Sequence, residues 1–303
     1  MVNLSIPSAD SSSGAPRHQQ WLRRPSLGRI QSSPSTTSNR TGRQRRRKLG
    51  PGPTVPYGAA IGPALLLILW SIGSTTGYID DRILSAPWTV ALTGLELIQD
   101  GRLQENLWTS FARSFWGLFW GIVAGASLGV IAGLSRIGEY LVDGPIQIKR
   151  AIPALALISL LMLWFGIGEG MKILTIALIT FAPIYIQTHD GLRSTDARFI
   201  ELAETLGLSN LQFLRHVVLP AALPGFLLGL RFGVTYAWLA LVVVEQVNAT
   251  SGLGYMINLA RTYGQTEVII LCLAVYAALG LSSDWLVRFI TRKTLPWRKI
   301  LAD

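Results

Sequence analysis

The chain has 303 residues, of which 50% are hydrophobic and only 15% are charged. Soluble domains carry roughly a quarter of charged residues, so this composition indicates a protein that resides in lipid. The single cysteine, Cys272, excludes an internal disulfide framework and a cysteine-based metal cluster. We therefore predict an integral membrane protein.

The excess of positive charge is concentrated at the N-terminal end. Residues 1–54 hold ten of the 27 Lys and Arg residues and a single acid, Asp10. This stretch is too polar to bury a core, so we expect a disordered basic cytoplasmic tail. Its densest run, Arg43 to Lys48, precedes a hydrophobic stretch. We expect the run to lie against anionic lipid headgroups, and we predict no nucleic-acid partner.

Six apolar stretches follow, and a helix of about 20 residues is enough to cross a bilayer. They lie at 49–79, 115–134, 151–168, 173–188, 224–247 and 268–287. With the N-terminus inside, 22 of the 27 basic residues fall in inner segments and the other five in outer ones. The positive-inside rule then places both termini in the cytoplasm. We predict an all-α membrane protein with six transmembrane helices.

Two of these stretches carry glycines at every fourth position. The glycines are Gly117, Gly121, Gly125, Gly129 and Gly133 in the second stretch, and Gly225, Gly229 and Gly233 in the fifth. In lipid, helices associate through small residues that let their backbones approach closely. We therefore predict that both ridges pack against neighbouring helices, either as a static contact or as a surface that shears during transport.

The segment between the fourth and fifth stretches is organised as two short helices. Asp196 can cap a helix over 197–206, and Gly207 can end it. One face of this helix is apolar, with Phe199, Leu202, Ala203 and Leu206.

Ser209 and Gln212 fit a capping box for the second short helix, which we predict to end at Pro220. Its apolar face has Leu211, Leu214 and Val218. An apolar stripe outside the membrane must either pack back on the membrane domain or enter a groove on a partner.

Charged residues within the apolar stretches are candidates for a pathway or gate, because a charge in lipid is costly. Arg231 lies near the inner end of the fifth stretch, where it can snorkel or brace the cytoplasmic segment through Glu201 or Glu204. Glu245 and the nearby Asn248 lie towards the outer end. Glu245 either lines the mouth of a cavity or pairs with an outer-loop basic residue.

A further basic residue, Arg113, lies just inside the second stretch and is a gate residue or a headgroup anchor. We favour the anchor.

No pattern in the sequence indicates an enzyme or a metal site. None of the lysines follows a glycine, so the chain lacks a nucleotide-binding P-loop. The three histidines have no partners at the spacing of metal ligands, and no catalytic constellation of residues lies together. An ion-gradient-driven transporter would show an internal repeat or several buried acids, whereas only Glu245 lies deep in a stretch.

The cytoplasmic segment resembles the EAA motif of ABC importer permeases. The matching residues, which the resemblance implies are the ATPase-coupling residues, are Glu201, Leu202, Ala203, Leu206, Gly207, Val217, Leu219 and Pro220. Leu202 stands where the family usually has a second alanine, a change that keeps the spacing and the apolar character. In that family the motif forms the coupling helix, which docks in a cleft of the cytoplasmic ATPase.

Other segments are similar to the nitrate, taurine and aliphatic-sulfonate branch of this family, and most of all to aliphatic-sulfonate permeases. The branch is matched by 152–157, 163–168, 219–224, 229–231 and 251–255, and the aliphatic-sulfonate permeases by 133–136 through Glu139, together with Ile146 and Gln147. The resemblance implies a MetI-like fold and a homodimer in the bacterial cytoplasmic (inner) membrane, with two ABC ATPase subunits and an extracytoplasmic substrate-binding protein. It implies a small organic anion as substrate, with aliphatic sulfonates as the first choice and nitrate, taurine, bicarbonate and pyrimidine-type compounds as alternatives. The chain would bind no cofactor, since ATP and Mg²⁺ are used by the partner.

The implied domain organisation has four parts. They are the basic tail at 1–54, a first transmembrane helix with an extracytoplasmic loop at 55–106, an ABC transmembrane type-1 core at 107–293 with coupling helices at 196–219, and a cytoplasmic C-terminal tail at 294–303.

Overall fold

The computed structural model describes residues 58–296, and all regular structure in this range is helical. The helices are α1 (Gly58–Thr75), α2 (Pro87–Gln99), α3 (Arg102–Leu134), α4 (Arg136–Ala151), α5 (Ala154–Phe165), α6 (Glu169–Arg193), α7 (Ala197–Thr205), α8 (Asn210–Phe213), α9 (Leu219–Asn248), α10 (Leu253–Tyr263) and α11 (Thr266–Thr294). A π-helical turn, Leu214–Val218, joins α8 to α9. The tail predicted at 1–54 and the last seven residues of the chain lie outside the described residues.

Four helices are long and apolar enough to cross a membrane. They are α3, α6, the continuous helix from Asn210 to Val247, and α11. The pair α4 and α5, bent by 110°, is a candidate for a fifth span. The first predicted stretch forms α1, a shorter apolar helix. Length and composition alone thus support four or five spans.

The bend between α4 and α5 falls at a proline. Pro153 has no N–H to continue a helix, and it pushes the preceding residue away from helical angles. Ile152 is accordingly extended, with ψ at 124°. The stretch predicted at 151–168 therefore contains the last residue of α4, Ala151, and the 12 residues of α5 as helix, and Gly166, with φ at +70°, makes the turn into α6.

Helix α6 lies between α3 and α9, and all five glycines of the α3 ridge face α6. The facing pairs are Gly117 with Ile176, Gly121 with Thr180, Gly125 with Ile184, Gly129 with Thr188 and Gly133 with Leu192. Residue numbers rise together in both helices, so α3 and α6 run parallel. The chain between α3 and α6 must therefore return to the end of the bundle at which α3 begins.

The second glycine ridge contacts the same helix. Gly225 lies against Gln187 and Gly191, and Gly233 lies against Ile184. Numbers fall along α6 as they rise along α9, so these two helices are antiparallel. Both ridges thus face α6 of the same chain.

The prediction that the second short helix ends at Pro220 is wrong. Helix α8, the π-helical turn and α9 form one continuous helix from Asn210 to Val247. Pro220 falls in the first turn of α9. Pro220 directly follows the π-helical turn, where the regular hydrogen-bond pattern of the helix is already interrupted, so the chain continues through the proline into the membrane stretch.

Candidate functional site

The EAA segment, residues 196–219, begins with a helix that is capped at both ends. The Asp196 carboxylate accepts a hydrogen bond from the Arg198 N–H at 3.0 Å, which confirms the predicted cap. Gly207, at φ +62°, donates its N–H to the Glu204 carbonyl at 3.0 Å and ends the turn. These local bonds hold α7 as a separate short helix.

The second cap of the segment is also present. The Ser209 side chain accepts from the Gln212 N–H, and the Gln212 side chain accepts from the Ser209 N–H at 2.9 Å. This confirms the predicted capping box. It fixes the point at which the chain starts the long helix towards the membrane.

The apolar stripe of the segment divides between the bundle and the outside. Phe199, Leu202 and Leu206 are 59%, 55% and 65% exposed, whereas Ala203 is buried. Val218 is buried against Leu192 of α6 and Ala222 of α9. The π-helical end of the stripe therefore packs on the bundle, and the face of α7 stays open.

Two of the remaining motif residues, Val217 and Pro220, line a cavity next to α7. Glu201, Leu219 and Pro220 are exposed, and Val217 is half-buried. A cavity of about 780 Å³, lined in part by Phe199, Val217 and Pro220, separates α7 from the adjoining ends of α6 and α9. Helix α7 is thus a short, capped helix in which Ala203 is buried and Phe199, Leu202 and Leu206 are exposed.

Gly207→Ala is expected to loosen α7. A side chain at a left-handed position costs about 1–2 kcal/mol, so the last turn should open more often. Hydrogen–deuterium exchange of residues 197–208 should accelerate by about fivefold or more. Gly170→Ala, at an open helical position with nothing within 4 Å of the added methyl, is the control. Equal exchange in both variants would show that Gly207 does not hold the helix end.

At the ends of α3, α6 and α9 that lie away from the EAA segment, Arg113, Glu169, Lys172 and Glu245 form an ionic cluster in which every side chain but that of Glu169 is buried. The Arg113 Nη1 donates to Glu245 Oε1 at 2.8 Å, and its Nε and Nη2 donate to the Glu169 carboxylate at 2.5 and 2.6 Å. Lys172 Nζ donates to Glu169 Oε1 at 2.7 Å. Two acids and two bases thus balance, and the three buried charges each have an opposite charge beside them.

Glu245 is 1% exposed and fully hydrogen-bonded. Besides the bond from Arg113, its carboxylate accepts bonds from Ser110 Oγ at 2.8 Å, from the Gly254 N–H at 2.9 Å and from Tyr276 Oη at 3.1 Å. A single carboxylate therefore ties together α3, α9, α10 and α11.

The loop before α10 is shaped around this carboxylate. Gly252 has φ at +108°, and a methyl group there would lie 2.7 Å from Arg113 Nη1. At Gly254 an added methyl would lie 2.5 Å from Glu245 Cβ. Arg113 Nη1 also donates to the Ser251 carbonyl at 2.6 Å. Only glycine fits at both positions while the cluster stays closed.

The structure decides between several readings of the charged residues. Arg113 is 3% exposed, so its interpretation as a headgroup anchor is wrong. Arg231 donates to Asp284 Oδ1 of α11 at 2.8 Å, so the idea that it braces Glu201 or Glu204 is wrong.

For Glu245, pairing with a basic residue is what the structure shows, and its partner is Arg113. Asn248 is the last residue of α9.

Sequence reasoning missed the part played by Glu169 and Lys172. Their signal was their spacing: an acid and a base three residues apart, directly after the turn at Gly166–Gly168, fall on one face at the start of a helix. Within residues 58–296, no group of three or more His, Cys, Asp or Glu side chains is placed to hold a metal ion.

A helical bundle of several membrane-length spans, with parallel α3 and α6 and an exposed EAA segment, defines a membrane transport permease. Residues 117–296 match the family of the binding-protein-dependent transport system inner membrane component. The chain belongs to this family, and it is a non-enzymatic permease of an ABC importer.

Its relatives include named permeases from two bacteria. A putative aliphatic sulfonates transport permease protein, SsuC of Bacillus subtilis (strain 168), is 40% identical over 78% of this chain and 86% of its own length. The SsuC of Escherichia coli (strain K12) is also 40% identical, over 78% of this chain and 89% of its own. The taurine transport system permease protein TauC of Escherichia coli is 35% identical over 77% and 87%.

Two solved structures share the fold. The inward-facing MetNI methionine ABC transporter matches with a TM-score of 0.52 and 22% identity, over 63% of this chain and 96% of that one. A crystal structure of an amino acid ABC transporter with histidines matches with a TM-score of 0.54 and 16% identity, over 80% and 100%. The fold is therefore MetI-like.

Proposed function

We propose that this chain is the permease of an ATP-driven importer of aliphatic sulfonates in the bacterial cytoplasmic (inner) membrane. The observation that carries the proposal is 40% identity, over 78% of the chain, to two proteins named as putative aliphatic sulfonates permeases. Two copies of the chain would assemble with two ABC ATPase subunits and an extracytoplasmic substrate-binding protein. Taurine, itself an alkanesulfonate with an amino group, is the second candidate, on the 35% identity to a taurine permease.

We propose six spans with both termini in the cytoplasm. The parallel course of α3 and α6 supports this, because the bent α4–α5 pair must then cross once between them. Helix α9 returns antiparallel to α6, and α11 completes the set. Helix α1 would be the first span. In this arrangement the ionic cluster lies at the outer end of the bundle and the EAA segment at the inner end.

The proposed energy source is the partner ATPase, which would bind the ATP and Mg²⁺. Phe199, Leu202 and Leu206 offer an apolar face of α7 that the bundle leaves open. Such a face fits a groove on a partner. When the ATPase dimer closes on ATP, α7 would move with it as a rigid lever, and the two permeases would swing between inward-open and outward-open states.

The direct test is uptake by proteoliposomes that contain the full chain, the ATPase and the substrate-binding protein. We expect uptake of labelled n-butanesulfonate that requires ATP inside and the binding protein outside. Omitting either component is the control. Uptake driven by a proton or sodium gradient without ATP would contradict the proposal, and uptake of taurine alone would favour the second candidate.

Leu202→Asp is expected to uncouple transport without unfolding the permease. The side chain is 55% exposed in the isolated chain, so its stability should change by less than about 0.5 kcal/mol. A carboxylate buried unpaired in the ATPase groove is costly, so ATP-driven uptake should fall at least about tenfold. The measurement is uptake alongside co-purification of the ATPase.

The matched control is Ile83→Asp, which places the same charge at a 77% exposed position between α1 and α2. It should retain uptake and ATPase binding. Equal losses in both variants, or none in Leu202→Asp, would remove α7 as the coupling element.

A further inference from the structure

A pocket lies where α4 breaks from α5, and its lining combines positive charge with apolar surface. Its volume is about 490 Å³, within the range of about 300–1,000 Å³ common for small-molecule sites. Lys149 and Arg150 line it together with the apolar Leu157, Ile179 and Pro183. None of the described residues that line it is Asp or Glu.

The pocket lies at the depth of the middle of two spans. Its α6 lining runs from Ile179 to Gln187 in a helix that spans 169–193, and its α9 lining, Phe232 and Tyr236, brackets the midpoint of 219–248. Cationic side chains at this depth are costly unless they face a water-filled or ligand-filled space. Their position therefore points to a path for anions.

The two cations are not neutralised by acidic side chains of the described chain. Arg150 Nη1 donates to Gln147 Oε1 at 3.3 Å, and neither Lys149 nor Arg150 forms an ion pair within residues 58–296. Of the acids of α4 and α6, Glu139 pairs with Arg193 and Asp190 with His189, and Asp143 forms no ion pair within residues 58–296. The positive charge of the pocket is thus available to a ligand.

The backbone adds to this preference for an anion. Helix α5 begins inside the pocket at Ala154, and no side chain caps its first turn. The first N–H groups of a helix carry partial positive charge and favour anions. The side chains of Gln187 and Tyr236, also in the lining, supply hydrogen-bonding groups.

We propose that this pocket is an anion-binding site on the transport path, built for an alkanesulfonate. The sulfonate group would lie between Lys149, Arg150 and the start of α5, and the alkyl chain would contact Leu157, Ile179 and Pro183. The identity of the anion rests on the proposed function, whereas the charge and the apolar lining belong to the pocket itself.

The test is binding of n-butanesulfonate to the purified full chain in nanodiscs, measured by calorimetry. Removing both charges with the double variant Lys149→Gln/Arg150→Gln should weaken binding at least about tenfold. Arg136→Gln, which removes an exposed charge at the other end of α4, should bind as the unmodified protein does. n-Butylammonium, of equal length and opposite charge, should not bind.

Chain length and a pocket-filling variant test the apolar contact separately. Affinity should rise up to about fourfold for each methylene from methanesulfonate to n-butanesulfonate. Leu157→Trp, which fills the pocket and keeps both charges, should also abolish binding. If the double variant fails to fold, Leu157→Trp decides: binding equal to that of the unmodified protein overturns the site.

The outcomes separate this site from the proposed function. If the reconstituted transporter takes up n-butanesulfonate and the double variant does so with the same half-saturation and rate, the importer stands and the pocket is overturned. If no sulfonate is transported but n-butanesulfonate binding still depends on Lys149 and Arg150, the pocket stands and the proposed substrate fails. No n-butanesulfonate binding by the unmodified protein overturns the pocket.

Discussion

Gly125→Leu is expected to destabilise the bundle by about 3 kcal/mol, the upper end of the usual cost of overpacking. A Cβ at this position would lie 2.7 Å from the Phe181 carbonyl oxygen and 2.9 Å from Ile184 Cβ. The carbonyl belongs to the backbone of α6, so the clash is relieved only if α3 and α6 separate. Since the other glycines of α3 also contact α6, separation of the two helices would disrupt the packing along the entire ridge. Unfolding of the purified chain in detergent micelles measures the change.

The matched control is Gly280→Leu in α11. It makes the same substitution in a membrane-length helix, at a position with nothing within 4 Å of the added Cβ. Its stability should stay within about 0.5 kcal/mol of the unmodified protein. If Gly125→Leu were as stable as Gly280→Leu, the contact between α3 and α6 would not carry the stability of the bundle.

The second large effect is expected for Glu245→Gln, which should cost about 3–5 kcal/mol. The substitution keeps the shape but removes the charge that balances Arg113. Every group around this side chain donates to it, including Ser110, the Gly254 N–H and Tyr276. An amide nitrogen cannot accept a hydrogen bond, so at least one of these donors loses its acceptor, and the buried guanidinium loses the negative charge beside it and keeps Glu169 and the Ser251 carbonyl.

Two comparison variants test whether the cost of replacing Glu by Gln falls as the solvent exposure of the side chain rises. Glu169 contacts Arg113 as closely, but its side chain is 56% exposed, so water can replace it and Glu169→Gln should cost about 1 kcal/mol. Glu96→Gln, at an exposed position on α2, should be neutral. Thermal unfolding should rank the three variants in that order. A loss at Glu169 larger than at Glu245 would contradict the assignment of Glu245 as the centre of the cluster.

Structural features that depend on neighbouring residues could be predicted from the sequence. The caps at Asp196 and at Ser209 with Gln212 depend only on residues within one helical turn, and both are present as predicted. The glycine spacing indicated close helix packing, because a period of four marks one face of a helix. It could not name the partner helix. That Gly125 meets Ile184 and that Gly225 meets Gln187 follow from the course of the chain between them.

The wrong predictions concern residues whose structure is set by contacts with residues far away in the sequence, or by a longer segment, and not by their neighbours. Pro220 has the chemistry of a helix end, but it follows a π-helical turn inside one helix that runs from Asn210 to Val247 into the apolar stretch. Arg113 near the end of a span has the pattern of a headgroup anchor. Its actual partners, Glu169 and Glu245, lie 56 and 132 residues away in sequence, a pairing that no local rule supplies.

The account depends most on the claim that the open face of α7 docks on an ATPase, and a thiol crosslink tests it directly. Cys272 is the one native cysteine and is buried, so Leu202→Cys introduces a single accessible thiol. With a short thiol-to-amine crosslinker and a co-expressed ABC ATPase, we expect a covalent permease–ATPase product for Leu202→Cys and none for Ile83→Cys. No product from Leu202→Cys, or equal products from both variants, would contradict the account.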